Sequence, residues 1–169
     1  YNAAMHEIRT KRLILRKARE GDLDAIHSVL SNPEATAYWY EPPHSTVKQS
    51  QEWLISMIQI PERTGEDFIV EHESRVIGKA GFHAFPLIGF ILHPDAWGQG
   101  FAREALAAII QRAFEVHQLA FIDADVDPRN ERSLRLLKSL HFQEVGREKR
   151  TWNVDGRWCD SVYLRRVRA

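Results

Sequence analysis

A single cysteine, Cys159, is all the thiol these 169 residues contain, so no internal disulfide can staple the chain. A surplus of either charge is also missing. The 23 Lys and Arg residues balance 23 Asp and Glu residues, without the cationic excess of a general nucleic-acid binder. No apolar run approaches the roughly 18 residues of a transmembrane helix, and no secretory apolar segment is recognisable. Internal repeats and low-complexity tracts are lacking too. The spacing of His83 and His93 brings no Cys or acidic ligands with it, so no metal site is expected. Together these absences lead us to expect a chain in a reducing, cytoplasmic setting with neither nucleic acid nor membrane as partner.

What remains is long enough to bury one substantial apolar core, and we expect a single domain over residues 5–169. Tyr1 to Ala4, ahead of Met5, read as a scar of expression.

The most informative stretch is Ile88 to Phe114. Phe90, Ile91 and Leu92 form a short apolar run that Pro94 ends, because the residue before a proline avoids helical geometry; the run reads as a buried strand. From Ala102, apolar residues return at Ala105, Leu106, Ile109, Ala113 and Val116, the spacing of a helix with one face in a core. Gly98 and Gly100 lie in the turn between them. The first N–H groups of a helix have no internal acceptor and carry partial positive charge, so Gly98 to Ala102 is expected to form an anion nest suited to a pyrophosphate. The same pattern also serves as plain strand–turn–helix scaffolding. A Walker loop requires Lys and then Ser or Thr where Phe101 and Ala102 stand, and a dinucleotide fingerprint requires a third small residue where Arg103 stands. Neither alternative fits.

Around this stretch the order of elements reads β-α-α-β-β-β-α-β-α-β-β. Leu13 to Leu15 give a first strand, and Gly21-Asp22 leads into a helix through Ile26, Val29 and Leu30. Thr46 with Gln49 has the capping-box spacing for a second helix, whose buried face would carry Trp53, Leu54, Met57 and Ile58. Strands follow at Phe68–Glu71 and Val76–Phe82. Beyond the long helix, Phe121–Val126 alternates as a strand with Asp123 and Asp125 on one face, and Asn130 caps a short helix. Asp155-Gly156 turns a closing hairpin. We therefore expect an α/β fold with a mixed sheet of about seven strands and four helices, its central strand pair parallel across the crossover from 88 to 126.

F-I-L-H-P-D-A-W-G-Q-G-F-A, with N-E-R-S-L-R-L-L-K-S-L-H-F farther on, resembles the coenzyme A signature of the GNAT superfamily of acyl-CoA N-acyltransferases. Trp97 takes the Q/R position of the family's phosphate loop, Gly100 its glycine and Ala102 its small residue. The W-G-x-G-F-A form is similar to the branch containing the ribosomal-protein N-terminal acetyltransferases. The resemblance implies acetyl-CoA as co-substrate and a primary amine as acceptor, on a small molecule or a protein N-terminus. It also implies that the two central strands splay apart, leaving backbone groups of Phe90, Ile91 and Leu92 free for pantetheine. Trp97, Gly98, Gln99, Gly100, Phe101 and Ala102 would then hold the diphosphate.

By the same resemblance a backbone N–H near Ile91 would stabilise the oxyanion, Ser133 would approach the cofactor sulfur, and Asn130, otherwise only a cap, would contact the cofactor. Ser133 reads equally well as a helix cap bonded only to backbone. Many family members have a Tyr that protonates the leaving thiolate, but Leu137 occupies that position, and His141 replaces the glycine before Phe142. The aromatic loop at residues 34–45 flanks the family's acceptor site, so Tyr38, Trp39 and Tyr40 are candidate acceptor contacts; covering the core is the other reading. For the general base, His83, His93, Asp123, Asp125 and a water relay, to an aspartate or to Glu71, all stay open. Trp152 and Trp158 mark an acceptor wall or a dimer contact, and the oligomeric state is open between monomer and homodimer. The absent tyrosine also leaves room for a non-catalytic acyl-CoA-binding or sensing module.

Overall fold

The computed structural model describes residues 7–169, so Tyr1 to Ala4 and Met5 lie outside the described residues. Eight strands form one mixed sheet: β1 (Ile8–Arg9), β2 (Leu13–Arg16), β3 (Glu66–His72), β4 (Arg75–Ala84), β5 (Leu87–Leu92), β6 (Phe121–Val126), β7 (Gln143–Val154) and β8 (Arg157–Val167). Their order across the sheet is β1-β2-β3-β4-β5-β6-β8-β7. The count exceeds the expected seven by β1, whose two residues pair with Leu15 and Ile14 and are too few for a periodic signal.

Among the described residues four α-helices cover the sheet: α1 (Leu23–Leu30), α2 (Val47–Ile58), α3 (Phe101–Glu115) and α4 (Glu131–Ser139). The expected cap of α2 is present, with Gln49 N–H donating to Thr46 Oγ1 and Thr46 N–H to Gln49 Oε1, both at 3.2 Å. Such a cap contributes about 1 kcal/mol.

The period-2 alternation of the strands sorts the core into two. Phe68, Val70, Ala80, Ile88 and Leu92 pack with the buried stripe of α3 and with Leu137 of α4. Ile69 and Ile91 point to the opposite face, against Ile26 and Leu30 of α1 and Leu54 and Met57 of α2. Helices on both faces therefore fix the sheet, and anything that opens between β5 and β6 has a wall on each side. Among the described residues no helix is long and apolar enough to cross a membrane.

Candidate active site

The parallel strands β5 and β6 meet at a single bridge, Leu87 with Asp123, supported by Asp123 N–H donating to Pro86 O at 2.9 Å. Past that bridge they diverge. The direction of each backbone group follows from the antiparallel ladder on the other side of β5, where His93 N–H reaches Ile77 O at 2.8 Å and Ile91 stands opposite Lys79. Hydrogen-bonding pairs alternate along such a ladder. Residues 89, 91 and 93 thus bond to β4, while the N–H and C=O groups of Phe90 and Leu92 face the gap. By this register the Ile91 amide faces β4, and the neighbouring Phe90 amide is the one turned into the gap. Leu92 O accepts the Trp97 indole N–H at 3.0 Å.

A cavity of about 370 Å³ fills the gap, lined by Phe90, Ile91, Leu92, Trp97, Ala102, Asn130 and Ser133, with Tyr38 and Trp39 at its inner end. At its outer end the chain turns into α3. Gly98 and Gly100 have φ of 74° and 79°, the left-handed region that glycine enters without strain, and Gly100 is the N-cap of α3. The Trp97 amide is used by Pro94 O at 3.0 Å. Among the described residues no protein acceptor takes the amides of residues 98–103, so the turn is an open nest. The Phe101 side chain is buried beneath His72 and the Arg12 guanidinium, so only its amide faces outward.

Arg12 was not legible as a site residue. It donates to Gln99 O at 2.9 Å and to Glu104 at 2.8 Å, and so ties the nest to the end of β2 and the first turn of α3. Arg132, stacked over the Trp97 ring at 4.4 Å, and Arg135 add positive charge to the cleft. Nothing in their spacing separates these arginines from ordinary surface cations, so only the fold identifies them.

Asn130 Oδ1 accepts Ser133 N–H at 3.2 Å and caps α4. The Ser133 hydroxyl has no protein partner among the described residues and lines the cleft, so it is not the backbone-bonded cap. Leu137 is fully buried in the core, which leaves no phenol at that position.

Tyr38 and Trp39 are shared with a second cavity of about 550 Å³ on the α1/α2 side, lined also by Tyr40, Trp53 and Trp152. Its charge is opposite to that of the cleft: Asp67, Asp125, Asp127 and Asp160 against Lys79 and His83. Lys79 Nζ is 2.8 Å from Asp67 Oδ2, and their side chains are only 5% and 2% exposed. Asp67 Oδ1 and the Trp39 indole N–H are buried without a partner. Burial, together with the Glu41 and Asp67 carboxylates, pushes the Tyr40 phenol above its usual range despite the Trp53 N–H it accepts at 3.1 Å. Burial also pushes the Asp127 carboxyl upward, but hydrogen bonds from Arg129 outweigh it and hold the group below its usual range.

The open base assignments now divide. His83 and Asp125 line the second cavity. His93 instead caps the turn at Pro94–Ala96 by accepting Asp95 N–H, Asp123 is bound by Arg165 at 2.7 and 3.0 Å, and Glu71 is bound by Arg16 at 2.7 Å. Those three are occupied by structural partners away from the second cavity. Trp152 belongs to the cavity wall, whereas Trp158 stacks with Arg150.

The comparisons agree with this geometry. Residues 12–143 match the Acetyltransferase (GNAT) domain family. The chain is 35% identical over 170 residues to an uncharacterized N-acetyltransferase, p20, of Bacillus licheniformis, covering 95% of this chain and 94% of that one. The crystal structure of a spermidine N-acetyltransferase from Vibrio cholerae, in complex with coenzyme A and spermine, superposes with a TM-score of 0.78 at 24% identity, over 94% of this chain and 96% of that one. That of the Salmonella typhimurium acetyltransferase that modifies the N-terminal serine of ribosomal protein L7/L12 gives 0.84 at 18% identity, over 95% and 97%. With its mixed sheet opened between β5 and β6 ahead of a glycine-turned helix, the chain belongs to the GNAT acetyltransferase family and is an N-acetyltransferase.

Proposed function

We propose that this enzyme transfers the acetyl group of acetyl-CoA to a primary amine by direct attack on the thioester, the amine belonging to a small molecule or a protein N-terminus. The observation that carries the reading is that two cavities share Tyr38 and Trp39 in their walls, one lined by free strand groups with three arginines and two glutamates, the other by aromatics and carboxylates. The residues fit coenzyme A. The amides of Gly98 to Ala102 supply donors for a diphosphate, and the N–H and C=O of Phe90 with the N–H of Leu92 offer unpaired strand groups to the pantetheine amides.

Phe90 lines the cleft and its chain neighbour Gly89 lines the acceptor cavity, so the Phe90 amide is the donor for the oxyanion. The nitrogen lone pair forms the new bond to the carbonyl carbon as the carbonyl electrons move to oxygen. Their return breaks the carbon–sulfur bond and leaves the electrons on sulfur. Asp125 or His83, directly or through water, removes the proton from nitrogen. The Ser133 hydroxyl donates to the departing thiolate, in the absence of a tyrosine. Alignment of the two substrates supplies much of the acceleration.

Release of free thiol from acetyl-CoA in the presence of a panel of amines tests this reading, which predicts acceptor-dependent release. Tight coenzyme A binding with no acceptor-dependent release across the panel would overturn it.

A further inference from the structure

Resting on the acceptor side of that reading, we infer that the amine acetylated here belongs to an aliphatic molecule with a second cationic nitrogen, of the alkyl diamine class. That second nitrogen is seated between the Trp152 ring and the carboxylates of Asp125 and Asp160.

The negative charge of the acceptor cavity is only partly neutralised by the protein. Two of its four aspartates already have cations: Asp67 has Lys79 at 2.8 Å, and Asp127 has Arg129 at 2.7 Å. Asp125 and Asp160 have hydrogen bonds but no cation among the described residues. Asp125 Oδ2 accepts the Trp152 indole N–H at 3.0 Å, and Asp160 Oδ1 accepts Arg150 N–H at 2.9 Å. Each keeps one oxygen without a protein partner. The wall beside them is aromatic, with the Tyr40 and Trp152 ring centroids 6.0 Å apart and those of Trp39 and Tyr40 5.0 Å apart. Carboxylates beside aromatic faces suit a cation, and the remaining ring surface suits methylene groups.

The nitrogen that attacks the thioester must be neutral when it does so. The positive charge that Asp125 and Asp160 call for therefore sits on a different nitrogen of the same molecule. The reacting nitrogen has its own partner at the other end of the cavity. Asp67 Oδ1 is buried with no hydrogen bond, and Lys79, which fixes that carboxylate, places Nζ over Gly89, 3.9 Å from where a Cβ would stand. Gly89 adjoins the Phe90 amide, so an N–H donated to Asp67 Oδ1 holds the lone pair on the thioester side. A plain peptide N-terminus has one amine nitrogen, its amide nitrogens being uncharged, and fills only this inner position. With Asp125 engaged by the second cation, His83 is the cavity's remaining base.

The test is kcat/KM, read by thiol release, for diaminopropane, diaminobutane and diaminohexane against propylamine, butylamine and hexylamine, with trialanine as the peptide arm. The expected result is a preference of about tenfold or more for a diamine over its matched monoamine, carried mainly by KM and shrinking as salt is added. Asp160→Asn keeps an oxygen for Arg150 N–H, so the hairpin folds as before, and it should narrow the diamine preference toward parity through KM. Trp152→Leu should do the same. Equal kcat/KM for matched diamines and monoamines, or trialanine as the best acceptor, overturns the inference while leaving the transferase standing. Thiol release from none of these amines, nor from a broader amine panel, removes both readings together.

Discussion

Leu87 on β5 and Asp123 on β6 form the one bridge between the two parallel strands among the described residues, and the groups of Phe90 and Leu92 that face the cleft lie beyond it. The opening has local causes. Leu92 O is taken by the Trp97 indole, Pro94 ends the strand, and the chain then turns through two left-handed glycines into α3 rather than extending the ladder. A sheet interior is thereby given the unpaired backbone groups of an edge, which are costly unless a ligand or water takes them.

Gly100→Val should separate geometry from fold. A β-branched residue at φ 79° costs about 1–2 kcal/mol, and its bulk crowds the nest beside Arg12, whose Nη2 would lie 3.4 Å from a Cβ. The expected outcome is a moderately lowered Tm, with coenzyme A affinity falling tenfold or more by calorimetry. Unchanged affinity in a folded variant contradicts the nest.

Arg12→Ala removes the tie between the nest and β2. Its ion pair is partly exposed, so loss of stability should stay near about 1 kcal/mol, while coenzyme A affinity falls about tenfold as the turn loosens. Arg12→Lys should not restore it. An ammonium cannot span Glu104 and Gln99 O while lying flat on Phe101. Full rescue by Lys would mean that charge alone matters.

These residues also show which parts of the molecule were legible. The strand at 87–92, the turn at 97–101 and the helix after it could be read because proline, glycine and apolar periodicity act within a few residues of themselves. The Asp155-Gly156 hairpin and the Asn130 cap were local in the same way. The register of β5 was not: whether Phe90 or Ile91 turns its amide into the gap is decided by Ile77 and Lys79 on another strand. Arg12 is 92 residues from Glu104, and Asp67 meets Lys79 across two strands, so neither pair leaves a sequence signal. His141 does adopt the positive φ, 69°, that a glycine there would take. It is held by His141 N–H to Lys138 O and Phe142 N–H to Leu137 O, both at 3.0 Å, a helix ending in which hydrogen bonds offset the strain.

Lys79→Met should cost about 3–5 kcal/mol in urea unfolding, because it strands the buried Asp67 carboxylate. Adding Asp67→Leu should recover most of that loss, since an apolar pair of similar volume needs no desolvation of charge. A double variant no more stable than the single one would mean that packing, not the stranded charge, sets the cost.

Acid should destabilise the fold progressively. Burial pushes Asp22, Glu66, Glu104 and Asp127 upward, yet the hydrogen bonds and charges of Arg16, Arg112 with His117, Thr10 with Arg12, and Arg129 hold all four below their ordinary values. With a folded pKa below the unfolded one, the unfolded chain binds more protons. The stabilisation is complete above the unfolded carboxylate range near about 4 and is lost as pH falls through the folded values. Tm measured from pH 7 downward should hold and then drop below about pH 4.5. A Tm that rises on acidification contradicts these assignments.

The central claim is that free main-chain amides from Gly98 to Ala102 hold a diphosphate so that a thioester lies beside Phe90. The most direct measurement is the thermal shift given by coenzyme A and by pantetheine at equal concentration. At about 100 times its dissociation constant, coenzyme A should add roughly 2.7 kcal/mol to the folded state, and pantetheine, without the diphosphate, far less. Equal shifts from the two would show that the nest does not bind the diphosphate, and the account would fail.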